Sequence, residues 1–210
     1  REGEGTDASG NFNTNAHLLV EVGLLLLLTL LKQVLVNRDV EDHLSQLDSL
    51  VETMTECLGS KYNKTAVLAL RTLSLTLKFG DLLPTLQKQV GRINQRVFKL
   101  MRVGGHSEAS VELNQACFRL ASVLVRDCPW HAVTENEVKV LLSFIEADLD
   151  TSGKQNTVFV VLKAIIARKL IAPELYDVMD RVSELMIRTH ASGVREHCRQ
   201  VVLPFLLEYP

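Results

Sequence analysis

Residues 153–193 read GKQNTVFVVLKAIIARKLIAPELYDVMDRVSELMIRTHASG, and their punctuation decides the fold. Val158, Val161, Leu162, Ile165 and Ile166 recur at helical spacing, so the first half is an apolar helix. Pro173 ends that helix and suits the first turn of the next, where its missing N–H would have had no partner. Outward from this stretch the same punctuation returns. Gly59, Gly80, Gly104-Gly105, Pro129, Gly153, Pro173 and Gly193 lie 20 to 25 residues apart, the length of one helix and one short turn. Alternate helices share a core of Leu70-Arg71, Phe118-Arg119, Leu162-Lys163 and Leu203-Pro204, separated by 48, 44 and 41 residues. A period of about 40–47 residues filled by two helices is the signature of the HEAT/armadillo class of α-solenoid. The expected fold is therefore all-α, a right-handed HEAT/armadillo-like α-solenoid of about four helix pairs plus one additional helix. Such folds work mainly by presenting surfaces, which lowers the expectation of catalysis.

Composition agrees. The chain is 47% hydrophobic and 23% charged with a net charge of -2, which excludes a disordered chain and a strongly basic nucleic-acid domain. Aromatics are scarce while Leu, Val and Ala dominate, as helix-on-helix packing prefers. The run Val22 to Leu31 (VGLLLLLTLL) is short of the roughly 20 apolar residues a membrane span needs, and Glu21 and Lys32 flank it. It is expected to be a helix buried between neighbours, with no membrane partner. The segment ahead of it is acidic and Gly/Asn-rich, unlike a secretory leader. Arg1 at the start and Pro210 at the end of a helix suggest a piece of a longer chain. Cys57, Cys117, Cys128 and Cys198 fall on or beside separate helices without CxxC spacing and are expected to be small core residues in a reducing compartment. The sequon Asn63-Lys64-Thr65 is then without consequence.

Residues 1–15 lack apolar content and are expected to be a disordered linker. The repeats are expected over 16–58, 61–103, 107–149 and 151–189, with a half repeat at 193–208. Their helices span about 16–36, 40–58, 61–79, 84–103, 108–127, 135–149, 153–170, 173–189 and 193–208. Pro84 opens one of them, and Thr134 with Glu137 makes a capping box for another. Pro204 lies inside the last helix, which should kink or end there. That helix has no following partner and should leave an apolar face open.

Few constellations carry chemistry. Asp148-Leu149-Asp150-Thr151-Ser152-Gly153 imitates the start of a calcium-binding EF-hand loop, but the closing position that demands Glu is Phe159. His190, His197 and Cys198 fall short of a zinc site, because adjacent helical residues point about 100° apart and nothing completes the set. No nucleophile elbow, Cys/His signature or phosphate-cradling glycine loop occurs. No catalytic, metal or cofactor residue is expected, and no small-molecule substrate.

The exception is the helix over 84–103. Lys88, Arg92, Arg96, Lys99 and Arg102 share one arc opposite the apolar stripe Leu86, Val90, Ile93, Val97 and Leu100. No acidic residue occurs between Asp81 and Glu108. Five cations on one face could track a phosphate backbone and mark a candidate RNA or partner contact. The competing possibility is a face neutralised by Glu41, Asp48, Glu52 and Glu56 on the preceding helix.

The stretch Leu162 to Val178, with Val194-Arg195-Glu196-His197-Cys198-Arg199-Gln200 and the closing Leu206-Leu207-Glu208-Tyr209-Pro210, resembles the Down-Regulated-in-Metastasis family. The likeness is closest over 134–210 and looser over 16–128, where the helix pattern agrees. It implies a very large nucleolar HEAT-repeat protein of the small-subunit processome, non-enzymatic and without cofactor. The implied work is ribosomal RNA processing and small ribosomal subunit assembly. The implied partners are neighbouring repeats, ribosome assembly factors, precursor ribosomal RNA and the small nucleolar RNA particle. A second reading of the same residues is a protein-only HEAT-repeat adaptor, of the transport or phosphatase-scaffold kind, that binds peptides or helices. An enzyme with a spatially assembled site is the third.

Overall fold

The structure, a computed structural model, describes residues 8–37, 43–103 and 108–209, with side chains over 16–33, 43–102 and 111–209. Among these residues there are nine α-helices and no strand: α1 (Ala8–Asn37), α2 (Leu44–Cys57), α3 (Asn63–Thr76), α4 (Pro84–Val103), α5 (Glu108–Asp127), α6 (Glu135–Asp148), α7 (Gln155–Ala167), α8 (Glu174–Arg188) and α9 (Ser192–Glu208). A 3-10 segment, Leu77–Leu82, joins α3 to the turn before α4. The fold is the all-α solenoid that the breaker spacing predicts.

Local chemistry explains most boundaries. Pro84 starts α4, and Thr134 with Glu137 forms the expected capping box: Glu137 N donates to Thr134 Oγ1 at 3.3 Å and Thr134 N to Glu137 Oε2 at 2.8 Å. The helix expected to run to 79 stops being α-helical after Thr76. There Thr72, Ser74 and Thr76 each turn a hydroxyl back onto the carbonyl four residues earlier, at 2.8, 2.7 and 3.0 Å, which loosens and bends a helix. Part of the expected linker is also corrected. Residues 1–7 lie outside the described residues, but 8–15 are the first turns of α1. Once the leucine-rich segment is helical, each upstream residue adds one hydrogen bond, and no proline stops the propagation.

Where the sequence reads as one continuous array, the chain divides into two compact units, residues 1–120 and 121–210, with the boundary inside α5. Each repeats the same packing rule. In the first, α1 lies against α3, α2 against α4, and α2 against α3. In the second, α6 lies against α8 and α7 against α9, while α6 also touches α7 and α8 also touches α9. Alternate helices stack on one another while sequential helices pair, as in a solenoid. Helices differ in how far they are enclosed: Thr65 to Leu70 are buried without interruption in α3, whereas α8 buries one stripe of Leu175, Val178, Met179, Val182 and Leu185. Helix α7 is anchored by Phe159, Leu162 and Ile165, all at or below 1% exposure.

Helix α1 departs from expectation. It buries Leu24, Leu28 and Leu31 against α3, together with Glu21, whose carboxylate accepts from Thr65 Oγ1 at 3.2 Å and pairs with Lys64 Nζ at 3.0 Å. Lys64 holds that carboxyl below its usual range. The opposite arc is open: Leu19 is 75% exposed, and Leu18, Val22, Leu25, Leu26 and Leu30 are exposed with it. Among the described residues the helix is thus enclosed on one flank, not between neighbours, because one stacked helix covers only one flank. By length and composition alone, Ala16–Gln33 is long and apolar enough to cross a membrane. At the other end α9 exposes Leu203, Leu206 and Leu207. It does not stop at Pro204 but runs on to Glu208.

Candidate functional site

Helix α4 is fixed at its start by its neighbour. Thr85 N donates to both oxygens of Asp48 on α2, at 2.9 and 3.2 Å, and Thr85 Oγ1 donates to Asp48 Oδ2 at 2.7 Å. A carboxylate there satisfies orphan amides and meets the positive end of the helix dipole. Leu86, Val90, Ile93 and Val97 are buried as expected, joined by Phe98 and Met101, while Leu100 is half-buried. Burial of that stripe turns the five basic residues outward.

The structure does not keep the five together. Arg92 Nη2 meets Glu56 Oε1 at 2.6 Å, and Arg96 Nη2 meets Glu56 Oε2 at 2.9 Å. Arg96 Nη1 also donates to the carbonyl of Thr55 in the last turn of α2. Hydrogen bonding from Arg96, with the charge of Arg92, holds the Glu56 carboxyl below its usual range. Lys88, Lys99 and Arg102 are exposed and make no ion pair among the described residues. Of the four acids expected to neutralise the face, Glu56 does so and Asp48 caps a helix instead. Glu52 has no ion pair among the described residues, and Glu41 lies outside them. The stripe is therefore two structures: a bonded edge towards α2 and an open face of three cations.

The bonded edge belongs to a device the sequence did not announce. In the second unit Arg181 on α8 donates to the carbonyl of Glu146 at 3.2 Å, and meets Glu146 Oε1 at 3.1 Å and Asp150 Oδ2 at 2.9 Å. Thr55 and Glu146 are each third from the end of their helix. Arg96 and Arg181 thus clamp equivalent carbonyl ends of the helix before their own partner, where backbone acceptors lack intrahelical donors. Arg168, just past α7, does the same for the end of α5, donating to Val125 O at 3.1 Å, Pro129 O at 3.4 Å and His131 O at 2.7 Å. Tyr209 then closes the end of α7: its hydroxyl lies 3.0 Å from Leu170 O and 3.3 Å from Ile165 O. Burial pushes that hydroxyl's pKa up to about 12.

A turn of unusual residue choice aims Arg168 and Leu170. Lys169 has φ 54°, a left-handed conformation that costs a side-chain-bearing residue something glycine avoids. Lys169 N donates to Ile166 O and Leu170 N to Ile165 O, at 2.9 and 3.1 Å, which is a Schellman closure. Several of the other groups weighed from sequence are committed to structure. Asp148 pairs with Lys154 at 2.6 Å, Asp150 with Arg181, and Phe159 stacks on His197 with centroids 5.4 Å apart. None of the four cysteines forms a disulfide; Cys117, Cys128 and Cys198 are buried, and burial pushes Cys117 up to about 12.

His131 gives this region a pH signature. Its Nε2 is buried with no hydrogen-bond partner among the described residues. Burial is the main cause that lowers its pKa, Arg168 adds to it, and Glu137 opposes. A histidine depressed in the folded state takes up a proton more readily when unfolded, so stability is full above the unfolded value of about 6.5 and falls as pH drops below it. An NMR titration is expected to place His131 below 6.5, and the thermal midpoint to decline from pH 7.5 to 5.5. A His131→Gln variant should flatten that decline; an unchanged slope would remove His131 as its source.

Stacked helix pairs with arginine-clamped ends define an all-α protein of solenoid type. No family model matches the chain. It is 36% identical over 104 residues to the U3 small nucleolar RNA-associated protein 20 of Schizosaccharomyces pombe, which covers 48% of this chain and 4% of that protein. To the Saccharomyces cerevisiae protein of the same name it is 26% identical over 203 residues, 96% of this chain and 8% of that relative. The chain therefore spans a small fraction of the length of either. Both relatives are named for association with a small nucleolar RNA, the broad part of what the residues over 134–210 imply; neither carries the Down-Regulated-in-Metastasis name.

Proposed function

We propose that this chain is a non-catalytic, HEAT-type scaffold segment of a small-subunit processome component, acting in ribosomal RNA processing and small ribosomal subunit assembly in the nucleolus. The observation that carries this is the extent of the similarity. Alignment over 96% of the chain runs through both units, so the likeness to a U3 small nucleolar RNA-associated protein is spread along the whole chain and is not confined to a short motif. The absence of catalysis is supported by where reactive side chains are spent: His197 on Phe159, Asp148 and Asp150 on cations, and three of four cysteines in the core. Assembly factors and neighbouring repeats are its proposed partners, with precursor ribosomal RNA and the small nucleolar RNA particle.

The test uses the full-length protein, tagged in cells and purified under native conditions. U3 small nucleolar RNA is expected to be enriched over spliceosomal RNAs, and depletion to accumulate unprocessed small-subunit precursor while the large-subunit precursor matures. Absence of both effects would overturn the assignment.

A further inference from the structure

We propose that the open face of α4, carrying Lys88, Lys99 and Arg102, contacts the phosphate backbone of single-stranded RNA. This deepens the assignment above and rests on it only for the presence of RNA in the assembly. The first support is that the fold does not need these charges. When Arg96 and Arg181 are matched through their shared clamp, the positions of Lys88, Lys99 and Arg102 in α4 correspond to Pro173, Glu184 and Ile187 at the start of and within α8. None of the three counterparts is a cation, so the clamp arginine is what the two helices share and these three charges are not required by the packing.

The second support is the chemistry of the face. Lys88 to Arg102 spans about 21 Å of helix, a length that three or four successive phosphates of an extended strand can follow. No large apolar side chain from Pro84 to Arg102 is exposed, so the face lacks the apolar anchor that a protein interface builds around. The only aromatic residue of α4, Phe98, is buried. Bases therefore find no stacking platform, and the contact is electrostatic and indifferent to sequence.

The probe is a fluorescent oligouridine titrated onto the full chain. Three phosphate contacts to a single strand predict a log K against log salt slope of about -2, or roughly twenty-fold weaker binding at 200 mM than at 50 mM salt. Lys88→Glu, Lys99→Glu and Arg102→Glu together are expected to abolish binding at 200 mM salt and leave the thermal midpoint unchanged. The corresponding Gln variants should weaken binding less, in the same direction. Arg96→Met is the converse control: a lower midpoint with RNA affinity within about twofold of the parent. Parental affinity and salt slope in the triple Glu variant would overturn the proposal, as would equal affinity for poly-glutamate, which would mark the face as a site for an acidic protein. Loss of U3 enrichment with oligouridine binding intact would instead sink the assembly assignment alone.

Discussion

Replacing Arg168 with Met is expected to lower the unfolding free energy of the chain by about 3 kcal/mol, although no apolar contact of the core is deleted. The guanidinium donates to three carbonyls at the end of α5 and the turn after it, and its bonds to Val125 O and His131 O are the shorter, less exposed two. A hydrogen bond from a charged donor contributes about 1.5–3 kcal/mol, and an acceptor left dry adds a desolvation penalty of about 1–3 kcal/mol. Partial exposure of Arg168 lets water recover some of this, which keeps the sum near the lower end. Met preserves the aliphatic stem, so the measured loss isolates the polar head. Lys is a second comparison: a point charge can serve one carbonyl at a time where the planar fork serves several, so Arg168→Lys should recover less than half of the loss. Urea unfolding of the three proteins decides it. A Met variant within 1 kcal/mol of the parent, or a Lys variant equal to it, would show that the carbonyls find water as good a partner.

This clamp also marks where the sequence stops being informative. Helix α4 and helix α5 were legible at both ends, because proline, paired glycines and a change of polarity act locally on the backbone that carries them. The Thr134 capping box was legible for the same reason: both partners lie within one turn. Arg96, Arg168 and Arg181 look alike in sequence to the exposed Lys99, since their acceptors are backbone carbonyls 35 to 43 residues away and any residue supplies a carbonyl. The α4 face was legible as a basic arc, but its division was not. Asp48 and Glu56 sit on the same helix, and stacking alone assigns one to cap α4 and the other to neutralise two arginines. Helix α1 shows the opposite error. Apolar content predicts that a face avoids water, not that this stretch of chain contains what covers it.

Replacing Pro204 with Ala is expected to stabilise the chain by about 2 kcal/mol. Pro204 lies inside α9, which continues through it to Glu208, so the carbonyl of Gln200 loses its intrahelical donor and the ring crowds the preceding turn. That arrangement costs about 3 kcal/mol, against which proline returns about 1 kcal/mol by restricting the unfolded chain. The helix tolerates it because both sides of the defect are held. Cys198 and Val201 are buried before it, and after it Phe205 packs on Tyr176 and Tyr209, at centroid distances of 5.5 and 4.9 Å. Tyr209 in turn holds the end of α7 through Leu170 O. The gain should therefore depend on that anchor. In Tyr209→Phe, which keeps the ring and removes the hydroxyl, Pro204→Ala should give a different increment, because the last turn of α9 links Pro204 to its C-cap Tyr209 and Phe205 packs on that ring. Two outcomes separate the possibilities. An equal gain in both backgrounds would mean the proline is a simple local defect. No gain, or a loss, in the parent would mean the bend at Pro204 is what delivers Tyr209 to its carbonyl, and that relieving the helix breaks the clamp.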